Sequence, residues 1–181
     1  MRRVRVVALI VLLAVLVAPV VLVLVARPAL SDARDRTERT WADLQGPLVE
    51  RYAALDAALG ALRNAGASDR DVAGALEREL ERWRRLTDDG GVVARVESAN
   101  RLEGLSARLR AVVAASERLR ETPPLGDAVS AVFNTAPPPD ALTAYNDAVR
   151  EYQKTRESVW RRPVARLFDY DARPQLRLVP A

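Results

Sequence analysis

The chain has 181 residues, 49% of them apolar, with no Cys and no His; that is enough for one domain with a modest core. Lacking Cys, it cannot form disulfides, iron–sulfur clusters or thiolate zinc sites, and lacking His it has neither the commonest metal ligand nor the usual general base near neutral pH. The formal charge of +4 is what Arg2, Arg3, Arg5 and Arg27 supply, so the rest of the chain is balanced, and its mixed-sign helices offer no basic face for nucleic acid.

The first element is the run "VVALIVLLAVLVAPVVLVLVA", Val6 to Ala26, which carries no charge. At about 1.5 Å per residue such a helix crosses a hydrocarbon core of about 30 Å. The run is predicted to be a membrane anchor within residues 1–27. Its lipid-facing candidates are Val6, Val7, Leu9, Ile10, Leu12 and Leu13, followed by Val15, Leu16, Val20, Leu22 and Leu24. A cleavable signal peptide, the rival reading, has an apolar region of only about 7–15 residues. Pro19 is tolerated more readily in lipid than in water. The short basic head Arg2, Arg3 and Arg5 favours a cytoplasmic N-terminus, which places the remaining chain outside the cytoplasm.

From residue 28 to 170 apolar residues recur at spacings of three and four, the signature of amphipathic helices. One helix carries Trp41, Leu44, Leu48, Tyr52, Leu55, Leu59 and Leu62 as a stripe, with Arg51, Asp56 and Arg63 off it and Pro47 expected to kink it. "NAGASDRD" ends this helix at Gly66 and opens the next at Ser68. That second helix bears Val72, Leu76, Leu80, Trp83 and Leu86, and ends at Gly90 and Gly91. A third is predicted from Val92 to Glu121 with Val93, Val96, Leu102, Leu105, Leu109, Val112 and Leu119 inward, stopped by "TPP". "LGDAVSAVF" forms a short helix, "NTAPPPD" interrupts it, and the last long helix opens at Pro139 with Leu142, Tyr145, Val149, Tyr152, Val159 and Trp160 on its stripe. The expected fold is all-α: an N-terminal transmembrane helix followed by an antiparallel bundle of three to four long helices, with 171–181 as a tail.

The order of these segments carries a resemblance. The membrane helix, "TWADLQGPLVERYAALDAAL", "ESANRLEGLSARLRAVVAASERL", "YNDAVREYQ" and "RPVARLFDYDARP" together are similar to the LemA family of bacterial membrane-anchored helical proteins. The matching positions are Trp41, the pair Arg51 and Tyr52, the pair Ala99 and Asn100, the pair Tyr145 and Asn146, and the ending Leu167, Phe168, Tyr170 and Pro174. Two features depart from the pattern: "NTAPPPD" splits the last helix, and a His–Glu pair is absent. The resemblance implies a helical bundle facing out of the membrane, with no established catalytic activity and a role in the cell envelope.

Several features have a sharp and a plain reading. "DDGG", Asp88 to Gly91, could hold a cation through oxygens but fits a helix end better. Glu81 and Arg85 at helical spacing read as a solvated face. Tyr145 reads as core with its hydroxyl at the rim, and Asn146 as a side chain bonding across helices to fix their register. Pro163 is expected to stop the last helix near Trp160 to Arg162, after which Val164, Leu167, Phe168 and Tyr170 fold back as a plug. The alternative for that ending is a docking surface in which Arg161, Arg162, Arg166 and Arg173 surround the aromatics, suited to a lipid headgroup layer or an acidic partner.

No catalytic, cofactor or metal site is predicted. The expected partners are the lipid bilayer, through the N-terminal helix, and an envelope protein the sequence does not identify. Trp41, Tyr52, Asn100, Tyr145, Asn146, Phe168 and Tyr170 are the candidate interaction or register residues. A scaffold or regulator of the envelope is the first functional reading. A ligand-sensing bundle, which would use Asn100, Asn146 and Gln153, and a released secreted form are the alternatives.

Overall fold

A continuous helix, α1, runs from Arg2 to Asn64 in the computed structural model, which describes residues 2–66 and 70–179, with side chains at all of these except 2–16, 70 and 89. Pro19, Pro28 and Pro47 each remove a backbone donor, yet the helix continues through all three. The predicted anchor and first bundle helix are therefore one element. Among the anchor residues, Val6, Val7, Leu9, Ile10, Leu12, Leu13, Val15 and Leu16 lie outside the described side chains; Val20 and Leu24 are exposed and Leu22 is half-buried. Among the described residues no helix is long and apolar enough to cross a membrane.

After α1 come α2 (Arg70–Asp89), α3 (Val92–Ala115), α4 (Glu117–Arg120), α5 (Pro123–Asn134), α6 (Pro139–Glu157) and α7 (Arg162–Leu167), and the described residues are all helix or connection, with no strand. Contacts group the chain into one unit of residues 1–37 with 148–173 and a second of 38–147 with 174–181.

In the second unit, the α1 positions Trp41, Leu44, Leu48, Arg51, Leu55, Ala58 and Leu62 alternate steps of three and four and are all 1% exposed or less. That is a seam kept facing its neighbours along the helix. Burying one leucine of such a seam contributes about 1.5–3 kcal/mol. Two ion pairs, Arg63 with Glu77 and Arg84 with Asp56, have residue numbers that fall on one helix as they rise on the other, so α2 lies antiparallel to α1. Glu79, about as far before the Gly90–Gly91 connection as Ser98 and Arg101 are after it, meets both, so α3 folds back along α2.

Local chemistry sets the breaks. Gly66 ends α1 with φ of +64°, a left-handed conformation that glycine adopts freely, and Arg118 donates to the Ala65 carbonyl at 2.9 Å. The Ser68 cap falls on residues outside the described ones. Gly90 ends α2; a Cβ there would meet the Leu86 carbonyl oxygen, with Leu86 Cα and Cβ at 2.8 Å. α5 begins on Pro123 and Pro124, where missing donors cost nothing.

Four expectations need correction. Arg51 is on the buried seam, not off it. The third helix is broken at Ser116, whose backbone is extended; Val96, Leu102, Leu109 and Leu119 are buried as expected, but Ser98, Ala99, Glu103 and Ser106 share the buried face, and Val93, Leu105 and Val112 are only half-buried. α6 stops at Glu157 rather than near Trp160, so Val159 and Trp160 leave the stripe and are exposed. Pro163 does not stop a helix; it opens α7 in the first turn.

In the first unit, Val164 and Ala165 of α7 bury against Ala26 and Leu30 of α1, with Leu22, Val23, Phe168 and Tyr170 packed around them. Asp169 takes a left-handed φ of 51°, and the Tyr170 amide then donates to the Ala165 carbonyl at 2.9 Å. This closes α7 and turns both aromatics onto α1. The expected plug is thus built on α1, without Leu167, which points away and is exposed.

Candidate functional site

Among the described residues, buried polar side chains concentrate in the second unit, where helix side chains also hold a segment without helix or strand, Pro174 to Val179. Asn146 donates from Nδ2 to the Leu176 carbonyl at 3.0 Å and accepts the Leu176 amide on Oδ1 at 2.9 Å. Asn100 does the same one residue to either side, donating to the Gln175 carbonyl at 2.9 Å and accepting the Arg177 amide at 2.8 Å. An amide side chain matches a peptide group in donor and acceptor, so the two asparagines replace a neighbouring strand. Tyr145 adds a bond from its hydroxyl to the Pro174 carbonyl at 3.0 Å. Asn146, expected to bond across helices, and Asn100, a candidate interaction residue, both bond to the tail and fix its register, with Leu176 buried.

At the far end of this row stands an ion pair. Arg51 donates from Nε to Glu103 Oε1 at 2.8 Å and from Nη2 to Oε2 at 2.9 Å, and both side chains are 1% exposed. The remaining valences are also occupied. Arg51 Nη1 reaches the Val132 carbonyl at 2.6 Å, ending α5's last turn, and Glu103 Oε2 accepts the Val179 amide at 3.0 Å. Phe133 lies beneath the guanidinium, 5.6 Å from its ring centre. One charge pair thereby joins α1, α3, α5 and the tail. Such a pair is tolerated when buried because good geometry is joined by further hydrogen bonds to both partners.

Tyr52, next to Arg51, is buried and donates to the Ala99 carbonyl at 3.3 Å. Burial, then the negative Glu103, push its phenol well above the ordinary range, against a smaller opposing pull from Arg51. Its ring meets Trp83 edge-on at 4.8 Å. Trp41 and Tyr145 pack at 5.5 Å, so these two candidates share one aromatic contact. The arrangement binds main chain, not a reacting group: the contacts to 175–177 are to N–H and C=O, whatever the side chains.

The first unit repeats the pattern with other partners. Tyr152 donates to the Asp171 carbonyl at 2.7 Å, Gln153 to Arg173 at 3.0 Å and Arg156 to Tyr170 at 2.7 Å. Burial raises the Tyr152 phenol, opposed by Arg173 and Arg156. Phe168 sits under Arg27 at 5.0 Å, and Tyr170 lies beside it in the plug. Arg173 is buried against Tyr152 at 5.7 Å, which removes it from the ring of surface arginines expected around the aromatics.

Among the described residues no group of three or more Asp or Glu is placed to hold a metal ion. Asp88 lines a surface groove with Val49, Tyr52 and Trp83, while the Asp89 side chain of "DDGG" is outside those described. Glu103 and the tail were missed from sequence. The signal for Arg51 was present, since it stands three residues after Leu48 and four before Leu55. No protein-family model, curated protein or solved structure matches the chain.

Proposed function

We propose that this is a membrane-anchored helical protein of the bacterial cell envelope that acts as a scaffold or regulator through protein–protein contact, without catalysis, as the LemA-like order of its segments implies. The observation that carries this reading is the uncovered apolar surface of α1. Val17, Val20, Val21, Leu24 and Val25 are all exposed on a helix that continues into a packed bundle. Water disfavours such a band, whereas lipid does not. With the basic head Arg2, Arg3 and Arg5 inside, the bundle lies on the extracytoplasmic side. The polar groups on the helical stripes support contact over catalysis, because Asn100, Asn146, Glu103 and Arg51 are engaged with the chain's own backbone.

Crosslinking in intact membranes, followed by purification of the chain, tests the reading. One protein recovered in fixed stoichiometry is the expected result. A small molecule that raises the melting temperature while no protein is recovered would favour a ligand-sensing bundle instead.

A further inference from the structure

We propose that the turn between α6 and α7 is a second membrane contact: an apolar tip of Val159, Trp160 and Leu167 seated in the headgroup layer of a phospholipid bilayer, with Arg162 and Arg166 on lipid phosphates. The inference rests on the reading of α1 as an anchor and adds a surface to it.

Position is the first argument. α6 runs towards the turn and the segment after α7 runs back along it, since Arg156 bonds to Tyr170 and Tyr152 to Asp171. Residues 158–169 are therefore the reversal of this hairpin. The reversal does not hang free: Val164 and Ala165 are buried on Ala26 and Leu30, flanked by Leu22 and Val23. Leu22, Val23 and Ala26 close the apolar run, and Leu30 follows it by one helical turn. A hydrocarbon core of about 30 Å filled by the run up to Ala26 puts the headgroup layer at the level of α7.

Composition is the second argument. Val159 is 90% exposed, Leu167 70% and Trp160 42%, in a nine-residue stretch that also holds Arg161, Arg162 and Arg166. Single exposed apolar residues are ordinary in water. Here three fall within one reversal of the chain, on the same unit as the exposed Val20, Val21, Leu24 and Val25. The Arg161 guanidinium lies 4.2 Å above the Trp160 ring, giving an apolar body with a charged cap, the form that suits a membrane–water boundary. Glu157 and Asp169 flank the arginines, so the tip is only mildly basic. Apolar burial drives the seating, and the arginines orient it.

Because the chain has no Cys, Leu167→Cys carries an environment-sensitive fluorophore at one site, and Lys154→Cys, at a side chain 78% exposed, provides a control on α6. The full chain is reconstituted in mixed phosphatidylcholine–phosphatidylglycerol vesicles, some brominated on the upper acyl chain, and washed with alkaline carbonate. The washed chain is expected to stay with the vesicles, with the probe at 167 blue-shifted and quenched by bromine and the probe at 154 unaffected. Adding R162Q and R166Q should lower the inserted-to-free ratio of the tip by about fivefold per arginine, without releasing the chain. A retained chain whose probe at 167 is as wet as that at 154 overturns the tip and leaves the anchor standing. A chain removed by the wash overturns both.

Discussion

Arg51 and Glu103 meet at two points, 2.8 and 2.9 Å, in a setting where each is 1% exposed, and this pair ties together three helices and the tail. Removing one partner strands the other charge in a low-dielectric interior, which costs about 3–5 kcal/mol. Arg51→Met and Glu103→Met should each lower stability in denaturant titrations of the micelle-bound chain by that amount. The double variant should lose clearly less than the sum, because no lone charge remains buried.

The asparagines predict a local effect. Asn146→Ala leaves the amide and carbonyl of Leu176 without their partner, and Asn100→Ala does so for the Gln175 carbonyl and Arg177 amide. Each should destabilise by about 1–3 kcal/mol. Amide exchange mapped by residue should accelerate at 175–179 in both variants, with α3 and α6 still protected. Unchanged exchange in the tail would mean that these bonds do not hold it.

Gly90 and Gly91 are adjacent but not equivalent. A methyl group at Gly90 strikes the Leu86 backbone, while at Gly91 it meets nothing within 4 Å. Gly90→Ala should cost about 1–3 kcal/mol through local overpacking, and Gly91→Ala should be near neutral by thermal melting.

How much of this could be read from the sequence depends on the range of the interaction. The α1 seam was legible because a period of three and four residues is local, and Trp41, Leu44, Leu48, Leu55 and Leu62 all lie where that spacing puts them. Arg51 was misplaced because its charge outweighed its position on the same seam. On α3 the large side chains Val96, Leu102 and Leu109 were read correctly, whereas Ser98, Ala99 and Ser106 were not, because small residues that let neighbouring helices approach carry no hydrophobic signal. The tail has no periodicity at all. Its partners lie 30 and 75 residues away, and only the fold brings Asn100 and Asn146 to it. Val159 and Trp160 continue the α6 stripe in number but not in space, because the helix has already ended at Glu157.

The raised phenol of Tyr52 links stability to alkaline pH. The unfolded phenol ionises near pH 10, while the folded one stays protonated, so above pH 10 the unfolded state has released a proton that the native state keeps. Stability from this group is therefore complete below pH 10 and declines as pH rises through the folded value. Tyr152, raised by burial, acts in the same direction. Tyr52→Phe should lose about 1 kcal/mol at neutral pH with its bond to Ala99, and should show a shallower alkaline decline than the parent in denaturant titrations from pH 9 upward.

The account depends most on an α1 whose apolar run sits in lipid while the rest of the chain folds in water. Carbonate partitioning of the full chain and of a chain starting at Arg27, with circular dichroism of the latter, tests this directly. The full chain should remain with the bilayer, and the shortened chain should be released, strongly helical and melting in one transition. Release of the full chain, or a shortened chain with little helicity, would contradict the account.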